Sequence, residues 1–153
     1  MKLEFQILYG STTGNTENMI EFVSDICSQH DIKCESSNVA DNYKVNINKS
    51  SNLLILSCST WGIEPPVLQE DFEIFWSNLE KSQLQSCKVM ILGLGDKYYP
   101  HFCYAVDYLT AEVLKHGGEV VNTLKIPDDW EESKADIQET LTLTLKKNFH
   151  IIE

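Results

Sequence analysis

Tyr9-Gly10-Ser11-Thr12-Thr13-Gly14-Asn15-Thr16 lies between an apolar run at Leu3, Phe5, Ile7 and Leu8 and a stripe at Met19, Phe22, Val23 and Ile26. The run reads as a buried strand and the stripe as one face of a helix, so the quoted residues are a strand-to-helix turn. Four hydroxyls, those of Ser11, Thr12, Thr13 and Thr16, and the Asn15 amide crowd it. At a helix start the first backbone N–H groups point outward without intrahelical partners, and the helix dipole adds partial positive charge. Hydroxyls around such a turn donate further bonds to a phosphate, and Gly14 lets the backbone approach it. Capping alone would account for one or two of these residues. The loop has neither the lysine of a Walker A loop nor a GxGxxG pattern, which points to a terminal monophosphate held without a cation.

Outward from this turn the same alternation repeats. Leu53-Leu54-Ile55-Leu56 and Val89-Met90-Ile91-Leu92 read as further buried strands. Leu68, Phe72, Phe75, Trp76 and Leu79 form a helical stripe behind a helix-starting Pro66. Phe102, Ala105, Val106, Leu109 and Val113 form another, stopped at Gly117-Gly118. Weaker strands are expected around Ile32 to Val39 and Glu119 to Ile126, and a last helix from about Ser133 to Asn148. Thr140 to Leu145 alternates like a strand, but Ile137, Leu141 and Leu145 keep helical spacing and the β-α order favours a helix. The expectation is one α/β domain over residues 1–153: a doubly wound five-stranded parallel sheet with helices on both faces. Ligands of such sheets sit beyond the carboxyl ends of the strands.

Composition narrows the function. Asp and Glu number 23 against 12 Lys and Arg, a net charge of −11 that repels nucleic acid and anionic membranes and favours basic partners. No apolar run approaches the roughly 18 residues of a membrane span, and Met1-Lys2 leads straight into strand-like sequence, so a cytoplasmic protein is expected. Cys27, Cys34, Cys58, Cys87 and Cys103 are odd in number and contain no CxxC pair, while the four histidines show no ligand spacing; no metal site is expected.

Two more loops carry unusual residues: Cys58-Ser59-Thr60-Trp61-Gly62 after the third strand, and Leu94-Gly95-Asp96 with Tyr99, Phe102 and Cys103 after the fourth. An aromatic residue in each of two adjacent loops suits a flat π ligand. Together with Ser-Thr-Thr-Gly-Asn-Thr, in this order, these motifs resemble the flavodoxin family over essentially the whole chain. The direct run from Glu119 to Ile126 is similar to its short-chain class.

The resemblance implies a sheet of strand order 2-1-3-4-5 and FMN as cofactor. It implies that Ser11, Thr12, Thr13, Asn15 and Thr16 hold the phosphate beside Ser59 and Thr60, and that Trp61 and Tyr99 sandwich the isoalloxazine ring. It also implies that the Leu94-Gly95-Asp96 segment meets the pyrimidine edge, with Phe102 and Cys103 nearby and Cys103 a packing thiol. In the family a glycine peptide flips its carbonyl toward the ring, and Gly62 matches it. The next residue departs from the family pattern: Ile63 resists positive φ, which leaves Gly62 to take it. Lys97 also departs and is expected to place a cation near the ring; together with the acid missing at Ile63, it is expected to make the hydroquinone potential less negative.

The activity implied is that of a low-potential one-electron carrier, without catalytic residues of its own. It would be a monomer working between basic reductase-type donors and low-potential acceptor enzymes. Docking is expected near Trp61, Glu64, Asp96 and Tyr99, with Asp128, Asp129, Glu131 and Glu132 as a second acidic patch. The alternative is an FMN-dependent quinone or nitro reductase of the same fold.

Overall fold

The computed structural model describes residues 2–151. Its main sheet is parallel, in the order β2-β1-β3-β6-β7. The central strands are β1 (Glu4–Tyr9), β3 (Leu53–Ser57) and β6 (Lys88–Gly95), flanked by β2 (Lys33–Asn38) and β7 (Glu119–Pro127). Their side chains alternate between two layers. Phe5, Ile7, Leu53, Ile55, Met90 and Leu92 join the core under α1 (Asn15–Gln29) and α4 (Lys134–Phe149). Leu8, Leu54, Leu56, Val89 and Ile91 join the core under α2 (Glu70–Asn78) and α3 (Tyr104–Lys115). A strand covered on both faces needs apolar residues at nearly every position, which is why the central strands read as apolar runs; Gln6 of β1 is buried only because its side chain donates to Asn46 O at 3.0 Å and accepts from Asn48 N at 2.8 Å. The chain leaves β1 first toward β2 and then returns to β3 on the other side, so the crevice opens above β1 and β3.

The expected order of elements is found, with three corrections. The second helix does not begin at Pro66. Val67 and Leu68 form a short strand β5 (Val67–Leu68), antiparallel to β4 (Thr60–Trp61), with Trp61 opposite Val67. The helix begins at Glu70, after the N-cap Gln69, whose Oε1 accepts from Phe72 N at 2.9 Å. Phe102 likewise precedes its helix: Cys103, at φ +52°, is the N-cap of α3. Finally, β6 continues through Leu94 and Gly95, so these two belong to a buried strand rather than a loop. Thr140 to Leu145 is helical; Leu141 and Leu145 are buried, and Thr144 satisfies its hydroxyl on Thr140 O at 2.8 Å.

Gly93 lets α3 lie close to the sheet, since a Cβ there would stand 2.5 Å from Val106 Cγ2 and 3.0 Å from Cys58 O. This contact sets the height of the α3 N-terminus over the crevice. Among the described residues no helix is long and apolar enough to cross a membrane, and no group of His, Cys, Asp and Glu could hold a metal ion.

Candidate cofactor site

Beyond the carboxyl ends of β1, β3 and β6 lies a cavity of about 410 Å³. Ser11, Thr12, Thr13, Asn15 and Thr16 form one end of it, Ser59, Thr60, Trp61, Gly62 and Ile63 a side, and Leu94, Asp96, Tyr99 and Asp128 the rest. Three loops distant in sequence therefore meet at one place, as the motifs implied.

The hydroxyls are oriented by the protein itself. Ser11 Oγ accepts from the backbone N–H of Gly14 at 3.1 Å and lies 3.4 Å from that of Glu17. Thr12 Oγ1 accepts from Gln69 Nε2 at 3.0 Å, Thr60 Oγ1 from Ala105 N at 2.8 Å, and Ser59 Oγ from Trp61 Nε1 at 2.9 Å. A hydroxyl whose lone pair is engaged by an N–H keeps its own hydrogen to donate. Four hydroxyls thus face the cavity as donors beside the start of α1, whose N-cap Gly14 makes no side-chain cap. Gly14 is at φ +93°, the conformation that calls for glycine there. Among the described residues no Lys, Arg or His lines the cavity. This donor set fits the terminal phosphate of a nucleotide, held by neutral dipoles alone.

Two aromatic side chains, Trp61 and Tyr99, stand half-exposed on the cavity wall, at 44 % and 46 %. Both border the cavity through the loops after β3 and β6. Gly62 has φ +73°, and a Cβ on it would meet Pro65 O at 2.9 Å, so no other residue fits that turn without movement. Ile63 does not take positive φ, as its branching requires. His101 and Glu64, 3.7 Å apart, bridge the loops that carry Tyr99 and Gly62.

Four residues expected at the site lie outside the cavity wall: Gly14, Gly95, Phe102 and Cys103. Gly14 is the N-cap of α1, and a Cβ on it would meet nothing within 4 Å. A Cβ on Gly95 would stand 3.1 Å from Cys103 N and Sγ. The Cys103 thiol donates to Gly93 O at 3.3 Å, and burial pushes its pKa up to about 12, so it is a packing group. Phe102 is half-buried against the α2 and α3 core. Leu94 borders the cavity while its side chain packs in the core on the α1 side.

The charges differ from expectation. The Lys97 ammonium turns to Asp129 at 3.8 Å and sits over the Tyr98 ring at 5.5 Å, away from the cavity wall. Asp128 instead joins Asp96 on that wall; burial, then the charges of Asp96 and Asp129, raise its carboxyl above the usual range. Asp96 is fixed by accepting from Tyr98 N at 2.9 Å. Sequence reasoning placed Asp128 on a surface patch; its position at the carboxyl end of β7 was the signal for the crevice. It also passed over Gln69, a buried polar side chain that precedes the acidic first turn of α2.

Residues 7–140 match the family model described as flavodoxin. The chain belongs to the flavodoxin family. A flavodoxin from Maridesulfovibrio salexigens is 38% identical over 129 residues, covering 84% of this chain and 88% of that protein. A flavodoxin from Nitratidesulfovibrio vulgaris is 30% identical over 132 residues, covering 86% and 89%. Solved flavodoxin structures share the fold. Fusobacterium nucleatum flavodoxin bound to flavin mononucleotide superposes with a TM-score of 0.76 at 20% identity, over 97% of this chain and 99% of that one.

Proposed function

We propose that this flavodoxin-family chain binds FMN in the cavity above β1, β3 and β6 and carries electrons between redox proteins, one at a time and at low potential. The observation that carries the reading is the set of four oriented hydroxyls, Ser11 and Thr12 before α1 and Ser59 and Thr60 after β3, in a cavity that no Lys, Arg or His lines among the described residues and that Trp61 and Tyr99 flank. FMN, when bound, supplies the redox chemistry.

The residues divide the work of binding. Ser11, Thr12, Thr13, Asn15 and Thr16 hold the phosphate, with Ser59 and Thr60 alongside. Trp61 and Tyr99 stack on the ring, and each aromatic pair adds about 0.5–1.5 kcal/mol beyond its burial. The turn at Gly62 presents backbone to the ring, and Ile63 keeps the positive φ at Gly62. Asp96 and Asp128 place negative charge beside the cavity, in a chain of net charge −11. Electrons are harder to add in that field, which supports a low potential. With Lys97 paired to Asp129, the cation expected to offset this field is directed elsewhere.

The exposed edge near Trp61, Glu64, Asp96 and Tyr99 suits a monomer that meets basic reductases and low-potential acceptors in turn. Free thiols at all five cysteines suit the cytoplasm. The test is reconstitution of the apoprotein with FMN or riboflavin, followed by stepwise reduction. Tight FMN binding, much weaker riboflavin binding, and an orange-red absorbance band that rises at half reduction and falls at full reduction are expected. Protein that stays colourless with FMN would overturn the reading. Steady NAD(P)H turnover with a quinone and no added reductase would replace it with the quinone or nitro reductase.

A further inference from the structure

A second concavity, of about 790 Å³, lies between the β4–β5 hairpin, α2 and α3. It is larger than the cofactor cavity and shares with it only Thr12 and Trp61. Pro66, Val67 and Leu68 of the hairpin side, Ile74 of α2, and Tyr104 and Tyr108 of α3 make it apolar. Val67 is 46 % and Ile74 38 % exposed, so large apolar side chains are left facing water along an open groove. The two tyrosine rings stack at 5.9 Å with 29° between their planes, forming a continuous aromatic wall. The charged groups on the groove are both acidic, Glu70 and Glu73, one turn apart on the exposed face of α2. No lysine, arginine or histidine lines it among the described residues.

We propose that this groove is a docking site for an amphipathic, basic helix of a redox partner. One or two large apolar side chains of that helix would sit between Ile74 and the tyrosines, and its Lys or Arg residues would face Glu70 and Glu73. The commitment to a basic helix rests on charge complementarity: an apolar floor rimmed by carboxylates, in a chain of net charge −11, selects cations that flank apolar residues. Apolar anchors one turn apart are how a helix reads a groove. The proposal rests on the electron-carrier reading, because Trp61 is a wall of both cavities. A helix seated in the groove touches one side of the residue assigned to stack on the cofactor, and so brings its protein beside the redox centre without covering it.

The experiment is a titration of the isotope-labelled, FMN-loaded protein with a synthetic leucine-lysine amphipathic helix, followed by amide and indole NMR shifts. A leucine-glutamate helix serves as charge control. Saturable shifts centred on residues 66–74 and 104–108 are expected, with no response to the acidic peptide. Ile74→Asp, at an exposed position, should weaken binding at least about tenfold, and Glu70→Gln with Glu73→Gln roughly three- to tenfold. Neutralising two exposed carboxylates elsewhere, Asp136→Asn with Glu139→Gln on α4, should change it less than about twofold.

Shifts centred on Asp96 to Tyr99, equal losses from both charge pairs, no binding, or undiminished binding to Ile74→Asp would each overturn the proposal. Concentration-dependent shifts of the same residues without peptide would overturn it in favour of a second copy of this chain. Loss of the yellow FMN colour would mark failure of the carrier reading instead, whereas docking can fail while FMN stays bound.

Discussion

The Gln69 carboxamide donates to the Thr12 hydroxyl at 3.0 Å and accepts from Phe72 N at 2.9 Å, tying the loop after β1 to the cap of a helix 57 residues away in sequence. Gln69 is fully buried. Its Nε2 also donates to Asp71 at 2.9 Å.

Gln69→Leu should therefore weaken two properties together. Loss of the cap and an unpartnered Phe72 N–H should cost about 1–3 kcal/mol of apoprotein stability, read by urea unfolding. FMN affinity, read by quenching of flavin fluorescence, should fall as well, because the Thr12 hydroxyl loses its orientation. A variant that binds FMN as tightly as the parent would show that Thr12 is oriented by something else.

Gly62→Ala adds a methyl 2.9 Å from Pro65 O at φ +73°. The strain should amount to about 1–3 kcal/mol unless the turn rearranges, and a rearranged turn should move the first reduction potential. An unchanged thermal midpoint together with an unchanged potential would refute the assignment of this turn.

Asp128 supplies a pH dependence with a definite sign. Its carboxyl is raised in the folded protein by burial and by Asp96 and Asp129, so its ionised form is the disfavoured one. Its contribution is neutral below the ordinary carboxyl range and becomes destabilising as pH rises through that range to the raised value. Asp128→Asn should thus stabilise the apoprotein at neutral pH and leave it unchanged in acid. In the FMN-loaded protein it should raise the second reduction potential, while Lys97→Ser, whose ammonium faces Asp129, should barely move it.

Trp61→Ala and Tyr99→Ala should each lower FMN affinity by about tenfold, in line with the loss of one stacked face. The double variant should lose less than the sum, since the ring is then free to tilt. Titration of the apoproteins checks both statements.

The architecture was legible because central strands buried on both faces leave nearly unbroken apolar runs, and because hydroxyls in a strand-to-helix turn have few other uses. The hairpin was hidden: Val67 and Leu68 make so short a strand that Pro66 read as a helix start, and only the pairing of Trp61 with Val67 shows otherwise. Gln69 was hidden because a glutamine says nothing of its burial. Lys97 illustrates a third limit. Its position in sequence put it near the site, but its side chain is long enough to reach Asp129 instead.

Among the described residues no cation lines the cavity proposed to hold the FMN phosphate, inside a chain of net charge −11. A dianionic cofactor must therefore climb the protein's own repulsive field before neutral dipoles capture it. Salt, which weakens ion-paired phosphate sites, should here act in reverse: screening flattens the approach, and FMN should associate faster as ionic strength rises.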